Sequence, residues 1–194
     1  MKIKTSLKRT LLSSVIGGGL LFAHAVSAQT VDIKITNLTQ GMYFTPLLVS
    51  SHGDSVRLFE AGTTASSSLQ AMAEGGDISS LATETSDLGA INIENPAAGV
   101  LAPTTSTEIT DFDTGTNSSL SIVAMLLPTN DGFVGLDGWS IPETAGTYTI
   151  YLNAYDAGTE ANDEVVNGGG APGTLGIPAN PGANGGEDAT GVTT

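Results

Sequence analysis

The segment Val31-Asp32-Ile33-Lys34-Ile35-Thr36-Asn37 carries an apolar side chain at every second position. Only a strand with one face in a core and the other in water makes use of that period. The same period returns over Thr147–Tyr155, where Tyr148, Ile150, Leu152 and Ala154 alternate with Thr147, Thr149, Tyr151, Asn153 and Tyr155. Between them, Phe44–Ser50 reads as a strand with an edge or bulge at Pro46. Val56–Glu60 is a short apolar continuation, Thr104–Thr110 a Thr-rich strand with Ile109 inward, and Leu120–Leu127 an uninterrupted apolar run suited to a central strand. Turn signals separate them at Asn37–Gly41, His52-Gly53-Asp54, Asn95-Pro96 and Asp111–Asn117. One stretch follows a helical period instead: in Ser66–Leu81, Leu69, Met72 and Ala73 share a face, serines precede them, and Gly75-Gly76 stops the helix. Asp77 then caps a second short turn with Ile78 and Leu81 inward. The expectation is an all-β fold, an antiparallel two-sheet sandwich with a short helical insertion.

This fold has to hold without crosslinks, because the chain has no cysteine although its N-terminus reads as an export signal. Lys2, Lys4, Lys8 and Arg9 form a basic front, Leu11–Ala23 an apolar centre broken by three glycines, and Val26-Ser27-Ala28 a small-residue cleavage site. Residues 1–28 are therefore expected to leave, with Gln29 as the first mature residue, in a secreted or periplasmic protein. The apolar run is short for a membrane span, and no later run reaches 18 residues. Removal of the leader leaves Lys34 and Arg57 against 20 acidic residues, a mature charge of about −18. Such a surface repels nucleic acid and attracts divalent cations or basic partners. From Asn167 to Thr194 the chain is mostly Gly, Pro, Asn, Ala and Thr, a composition that buries little and predicts a flexible tail.

The carboxylates are not spread evenly. The apolar run Ser121–Leu127 ends in a turn carrying Asp131, and the run Thr147–Tyr155 ends in a loop carrying Asp156, Glu160, Asp163 and Glu164. Two strands that deliver carboxylates at one end can gather them around a hard cation, and calcium takes six to eight oxygens. The same residues also suit ordinary turns, since Asn130-Asp131-Gly132 and Asp156-Ala157-Gly158 both have turn chemistry. The loop is not an EF-hand, because Ala161 stands where that motif needs glycine. Catalytic signals are sparse: neither G-x-S-x-G nor H-E-x-x-H occurs. His52, the one histidine after the leader, reads as an exposed loop residue beside Gly53-Asp54. The stretch Gly168–Gly173 fits G-x-G-x-x-G, but it follows no strand and reads as linker. Trp139 reads as a core residue.

Several stretches in order resemble the spondin N-terminal domain, in particular its bacterial secreted members. They are Asn37–Met42 with Thr45–Val49, Leu58–Gly62 with Ala65-Ser66, Leu69–Asp77, Leu126–Leu136 and Tyr155–Glu160. The resemblance runs from about Val31 to Glu164 and sets a domain over residues 29–166. It implies a C2-like β-sandwich with calcium held by acidic loops at one edge, in a module of extracellular-matrix or adhesion type. By position, Asp131 matches the aspartate of the family's P-x-x-D-W/F-F-V-G stretch, and Asp156 and Glu160 match the acidic positions of D-A-G-T-D. These three are the expected calcium ligands, with Asp163, Glu164 or loop carbonyls completing the shell. Two features depart from the family: Gly132 stands where animal relatives carry tryptophan, and their cysteines are missing. The family's further strand after the acidic loop is also not apparent, as in a shortened or incomplete chain. The expected function is non-catalytic binding of an unidentified protein or glycan at the cell surface or matrix. The alternative is a secreted or periplasmic hydrolase using acidic residues.

Overall fold

The computed structural model describes residues 2–8, 29–160 and 191–194. The expected leader core and cleavage point, Asp163, Glu164, the Gly168–Gly173 stretch and the tail up to residue 190 lie outside them. In chain order the elements are β1 (Lys2–Lys8), β2 (Thr30–Thr36), β3 (Tyr43–Phe44), β4 (Leu48–His52), α1 (Ser67–Gly75), α2 (Ser79–Asp87) and β5 (Ile91–Glu94). They continue with β6 (Ser106–Asp113), β7 (Ser119–Leu127), β8 (Gly132–Ser140), β9 (Thr147–Tyr151) and β10 (Asn153–Asp156). One sheet has the order β6-β2-β1-β9; the other has the order β10-β8-β7-β4-β5, with β3 also paired to β7. Every pairing is antiparallel. The all-β sandwich expected from the alternating runs is the fold observed.

Strand β7 is buried at all of its positions because both of its faces are covered, which explains a run with no alternation. Its Leu120, Ile122, Ala124 and Leu126 meet Val31, Ile33 and Ile35 of β2, and Ile109 and Phe112 of β6, between the two sheets. On the opposite face Val123, Met125 and Leu127 join Leu48 and Phe133 beneath Leu69, Met72 and Ala73 of α1, and Ile78, Leu81 and Ala82 of α2. Half of the sandwich is thus three layers deep: sheet, sheet, helices.

The helices are bounded as their sequence suggests. Ser66 caps α1 by accepting from the Leu69 N–H at 3.1 Å. Gly76 ends it in the left-handed region at φ 68°, with its N–H on the Met72 carbonyl. A Cβ there would also fall 2.9 Å from Thr45. Asp77 accepts from the Ser79 N–H at 2.9 Å, but it starts a full helix where only a short turn is expected. Burial of Leu81, Ala82 and Thr85 carries α2 on to Asp87, and Asn92 of β5 ties it down by donating to the Ala82 carbonyl at 2.8 Å.

Other elements differ from expectation for identifiable reasons. The Phe44–Ser50 run is split around Pro46 into β3 and β4. Val56–Glu60 forms no strand, yet it buries Val56, Leu58 and Phe59. The Thr147–Tyr155 run divides at Leu152, where the chain leaves one sheet and enters the other. Past that crossing the inward face changes: Ala154 is exposed, while Tyr155 packs on Phe59 and Phe133 at ring distances of 4.7 and 5.4 Å. Strand β8 is hidden in the sequence by Gly132, Gly135, Asp137 and Gly138. Trp139 is half-buried, packing on the inter-sheet core with Tyr148 at 6.2 Å. The basic front of the expected leader, Lys2–Lys8, forms a central strand between β2 and β9. At the other end Val192 is buried and Thr193 bridges Asp156, so the last four residues are docked where the composition suggested a free tail.

Gly135 of β8 leaves room for the aromatic trio on the helix-facing side. A Cβ there would lie 2.6 Å from the Phe59 ring and 3.1 Å from Tyr155. Gly135→Ala should therefore destabilise the domain by about 1–3 kcal/mol, read as a lower urea midpoint with an unchanged m-value.

Candidate metal centre

Two turns meet at one edge of the larger sheet because of how β8 and β10 pair. Asp156 stands opposite Gly132, so the turn after β7 and the loop after β10 leave the sheet side by side. In the first, Thr129 Oγ1 accepts from the Gly132 N–H at 3.1 Å, shaping the turn that presents Asp131. In the second, Asp156 Oδ1 accepts from the Gly158 N–H at 2.7 Å, a side-chain-closed turn of the kind aspartate favours. Gly158 has φ 67°, and a Cβ on it would lie 2.5 Å from the Gly191 carbonyl oxygen. Glycine is therefore required for the C-terminal residues to dock against the loop.

Asp131 fastens the two turns together. It is 1% exposed, and its Oδ2 accepts from the Thr159 N–H at 2.8 Å, the Thr159 hydroxyl at 3.2 Å and the Glu160 N–H at 3.1 Å. Its backbone carbonyl takes the Ala157 N–H at 3.2 Å. Burial pushes the Asp131 carboxyl above its ordinary 3.8; the Thr159 and Glu160 amides pull it back, and the neighbouring charge of Asp156 pushes it up again. The net result is a carboxyl that binds its proton more firmly than an exposed aspartate does.

Asp131 and Asp156 line one pocket of about 300 Å³ together with Thr129, Asn130 and Tyr155. The third expected ligand, Glu160, is 2% exposed and is not among the lining residues; its backbone amide is what reaches Asp131. Among the described residues no three His, Cys, Asp or Glu side chains gather closely enough to hold one metal ion. The pocket's donor set is two carboxylates, an amide side chain, hydroxyls and backbone carbonyls. These are all oxygen donors of the kind a hard cation takes, with the rest of a six- to eight-oxygen shell left to carbonyls or water. The register of β8 and β10, which the sequence does not reveal, is what joins Asp131 to the loop.

His52 corrects a sequence expectation. It is 0% exposed at the end of β4, where it pairs with Ser119 of β7 and so stays in the sheet. Its Nε2 lies 2.7 Å from Ser121 Oγ, a Ser-His contact that no motif announces. Its Nδ1 faces the Gly53 carbonyl at 2.9 Å rather than an acid. Asp137 lies instead on the serine, with Oδ1 at 3.3 Å from Ser121 Oγ, while accepting from the Leu58 N–H and pairing with Arg57 at 3.5 Å. Burial raises the Asp137 carboxyl, and the Leu58 amide and Arg57 oppose the rise. Ser121 is also 0% exposed and takes the Gly138 N–H at 2.8 Å. In a nucleophilic triad the acid orients the histidine and the serine faces the substrate. Here the acid meets a buried serine, which makes the cluster a satisfied polar network tying β4, β7 and β8.

Among the described residues no helix is long and apolar enough to cross a membrane. No curated protein matches the chain. The Spondin_N family model matches residues 34–165, from within β2 to beyond both acidic turns. The chain belongs to this family of spondin N-terminal domains, which are non-enzymatic, extracellular and related to the matrix.

Proposed function

We propose that the chain is exported by its N-terminal leader and acts as a calcium-binding, non-catalytic adhesion module at the cell surface or in the matrix. What supports the metal is the pairing of a buried Asp131 with Asp156 across one pocket. Burial, with the neighbouring charge of Asp156 added to it, raises the Asp131 carboxyl above its ordinary value, a cost that a cation would offset. In this reading Asp131 and Asp156 supply charge, Glu160 contributes through the loop it anchors, and the ion stiffens the edge that faces a protein or glycan partner. The mature charge of about −18 favours a basic or cation-bridged partner. The hydrolase alternative has little to recommend it, since the Ser121–His52–Asp137 cluster is buried and connected in the wrong order.

Calcium calorimetry on residues 29–194 tests the metal directly; the last residues are kept because Val192 and Thr193 dock beside Asp156. Saturating calcium should raise the melting temperature by about 5–10 °C, as expected for ligand at roughly a hundred times its dissociation constant in a domain of this size. EDTA should reverse the gain. Asp131→Asn and Asp156→Ala should abolish it, and Glu160→Ala should reduce it. No calcium-dependent shift in the parent protein would exclude the metal.

The pH response has a definite sign. Without metal, the folded state holds a proton on Asp131 more firmly than the unfolded chain does. The stability that this contributes is present below pH 3.8 and is lost as pH rises through the elevated folded value. Asp131→Asn should flatten that decline in metal-free melts, leaving the share due to Asp137, which is raised in the same direction. Calcium should flatten it in the parent, because the ion favours the carboxylate.

Ser121→Ala should cost about 1–3 kcal/mol in stability by leaving His52 Nε2 and the Gly138 amide without their partner. Selective loss of a hydrolytic activity with unchanged melting would favour the enzyme reading instead.

A further inference from the structure

The smaller sheet contains a strand that the exported protein is expected to lose. In the full chain Lys2–Lys8 lies between β2 and β9, pairing with β2 along its whole length and with β9 over Lys2–Ser6. Ile3 stands opposite Ile35 and Ile150, Thr5 opposite Ile33 and Tyr148, and Leu7 opposite Val31. These are the core-facing positions of the sheet: Val31, Ile33 and Ile35 are at most 1% exposed with the strand in place. Lys2, Lys4, Ser6 and Lys8 take the positions opposite Thr36, Lys34, Asp32 and Thr30, on the outward face that also carries Glu108 and Asp113 of β6. Removal of residues 1–28 leaves β2 and β9 about 10 Å apart, twice the strand spacing. Two facing rows of backbone N–H and C=O groups then lack partners, with the inter-sheet core below them. An unfilled gap of this kind is a strong template for an added strand.

We infer that the gap between β2 and β9 is a strand-accepting site of the mature protein. It takes an extended segment of another polypeptide, at least seven residues long, with large apolar side chains at the first and last of three alternate core-facing positions, a threonine-sized side chain at the middle one, and basic or hydroxyl side chains between them. The pattern is that of the strand seated there in the full chain. Its basic component also suits a protein with only Lys34 and Arg57 against 20 acidic residues after leader removal. Residues 161–190 resemble the seated strand poorly: their large apolar residues are Val165, Val166, Leu175 and Ile177, and Pro178 follows the one alternating pair. This inference rests on the export reading but not on calcium. It gives the proposed adhesion module a way to hold a partner, through main-chain pairing set in register by an alternating apolar face.

Mass spectrometry of the exported protein first establishes whether its N-terminus is Gln29, so that failure of the export reading is seen separately. A fluorescent peptide of residues 2–8, KIKTSLK, is then titrated into chain 29–194. A control peptide has the same composition with its three uncharged large and hydroxyl alternation positions made consecutive. Saturable one-to-one binding with a raised melting temperature is expected for the first, and at least tenfold weaker binding for the control. Equal binding of the two would reduce the effect to charge attraction and overturn the proposal, as would no binding to a folded 29–194 chain. If chain 29–194 is unfolded alone, recovery of structure on adding KIKTSLK supports the site, and continued unfolding overturns it. The full chain provides a second measure: it should exclude the peptide, whereas the full chain carrying Ile3→Asp and Leu7→Asp should bind it. Equal uptake by both would also overturn the proposal.

Discussion

Strand β7 is shared between two cores, and most of the fold depends on that sharing. Its alternate side chains enter the inter-sheet cluster on one side and the helix-covered cluster on the other, so no position along it can face water. Fully buried aliphatic side chains each contribute about 1.5–3 kcal/mol relative to exposure. Neither layer retains its share of this without the strand between them. In a chain without disulfides, stacking two cores on one strand gives a small domain the depth that a single two-sheet interface would lack. The polar network of His52, Ser121 and Asp137 is centred on Ser121 of the same strand and fixes β4 and β8 beside it. Burial supplies most of the energy, and the network helps hold the register.

The candidate metal centre follows from the same strand. The turn leaving β7 presents Asp131, and the register of β8 with β10 places the second acidic turn against it. Asp131 then works mainly as a hydrogen-bond acceptor for the loop backbone. Its charge is a side effect of holding that loop, and a cation would relieve the cost of burying it. Under the calcium proposal, stability of the edge and affinity for the ion would be linked through one carboxylate.

Much of this architecture was legible in the residues. The alternation at Val31–Asn37, the apolar run at Leu120–Leu127, and the Ser66 and Gly76 limits of α1 each appear where local period and capping chemistry indicate. What was not legible depends on contacts between distant segments. Strand β8 has glycines where Arg57, Phe59 and Tyr155 approach, so its pattern records the neighbours rather than its own period. His52 has the sequence surroundings of a surface turn, and only its pairing with β7 and its contact with Ser121 draw it inside. Asp131 and Asp156 were picked out by position, but their shared pocket required strand pairing that no local period encodes.

The crossing at Leu152 has one further consequence. β9 and β10 are one nearly continuous stretch of chain, hydrogen-bonded to β1 in one sheet and to β8 in the other, with Leu152 buried at the junction. Neither sheet can open there without pulling on the other's ladder. While β1 is in place, local fraying on either side is therefore transmitted across the sandwich, and the two sheets are expected to exchange their protected amide hydrogens as one cooperative unit; with β1 removed, β9 loses that ladder and the coupling should fall away until an added strand restores it.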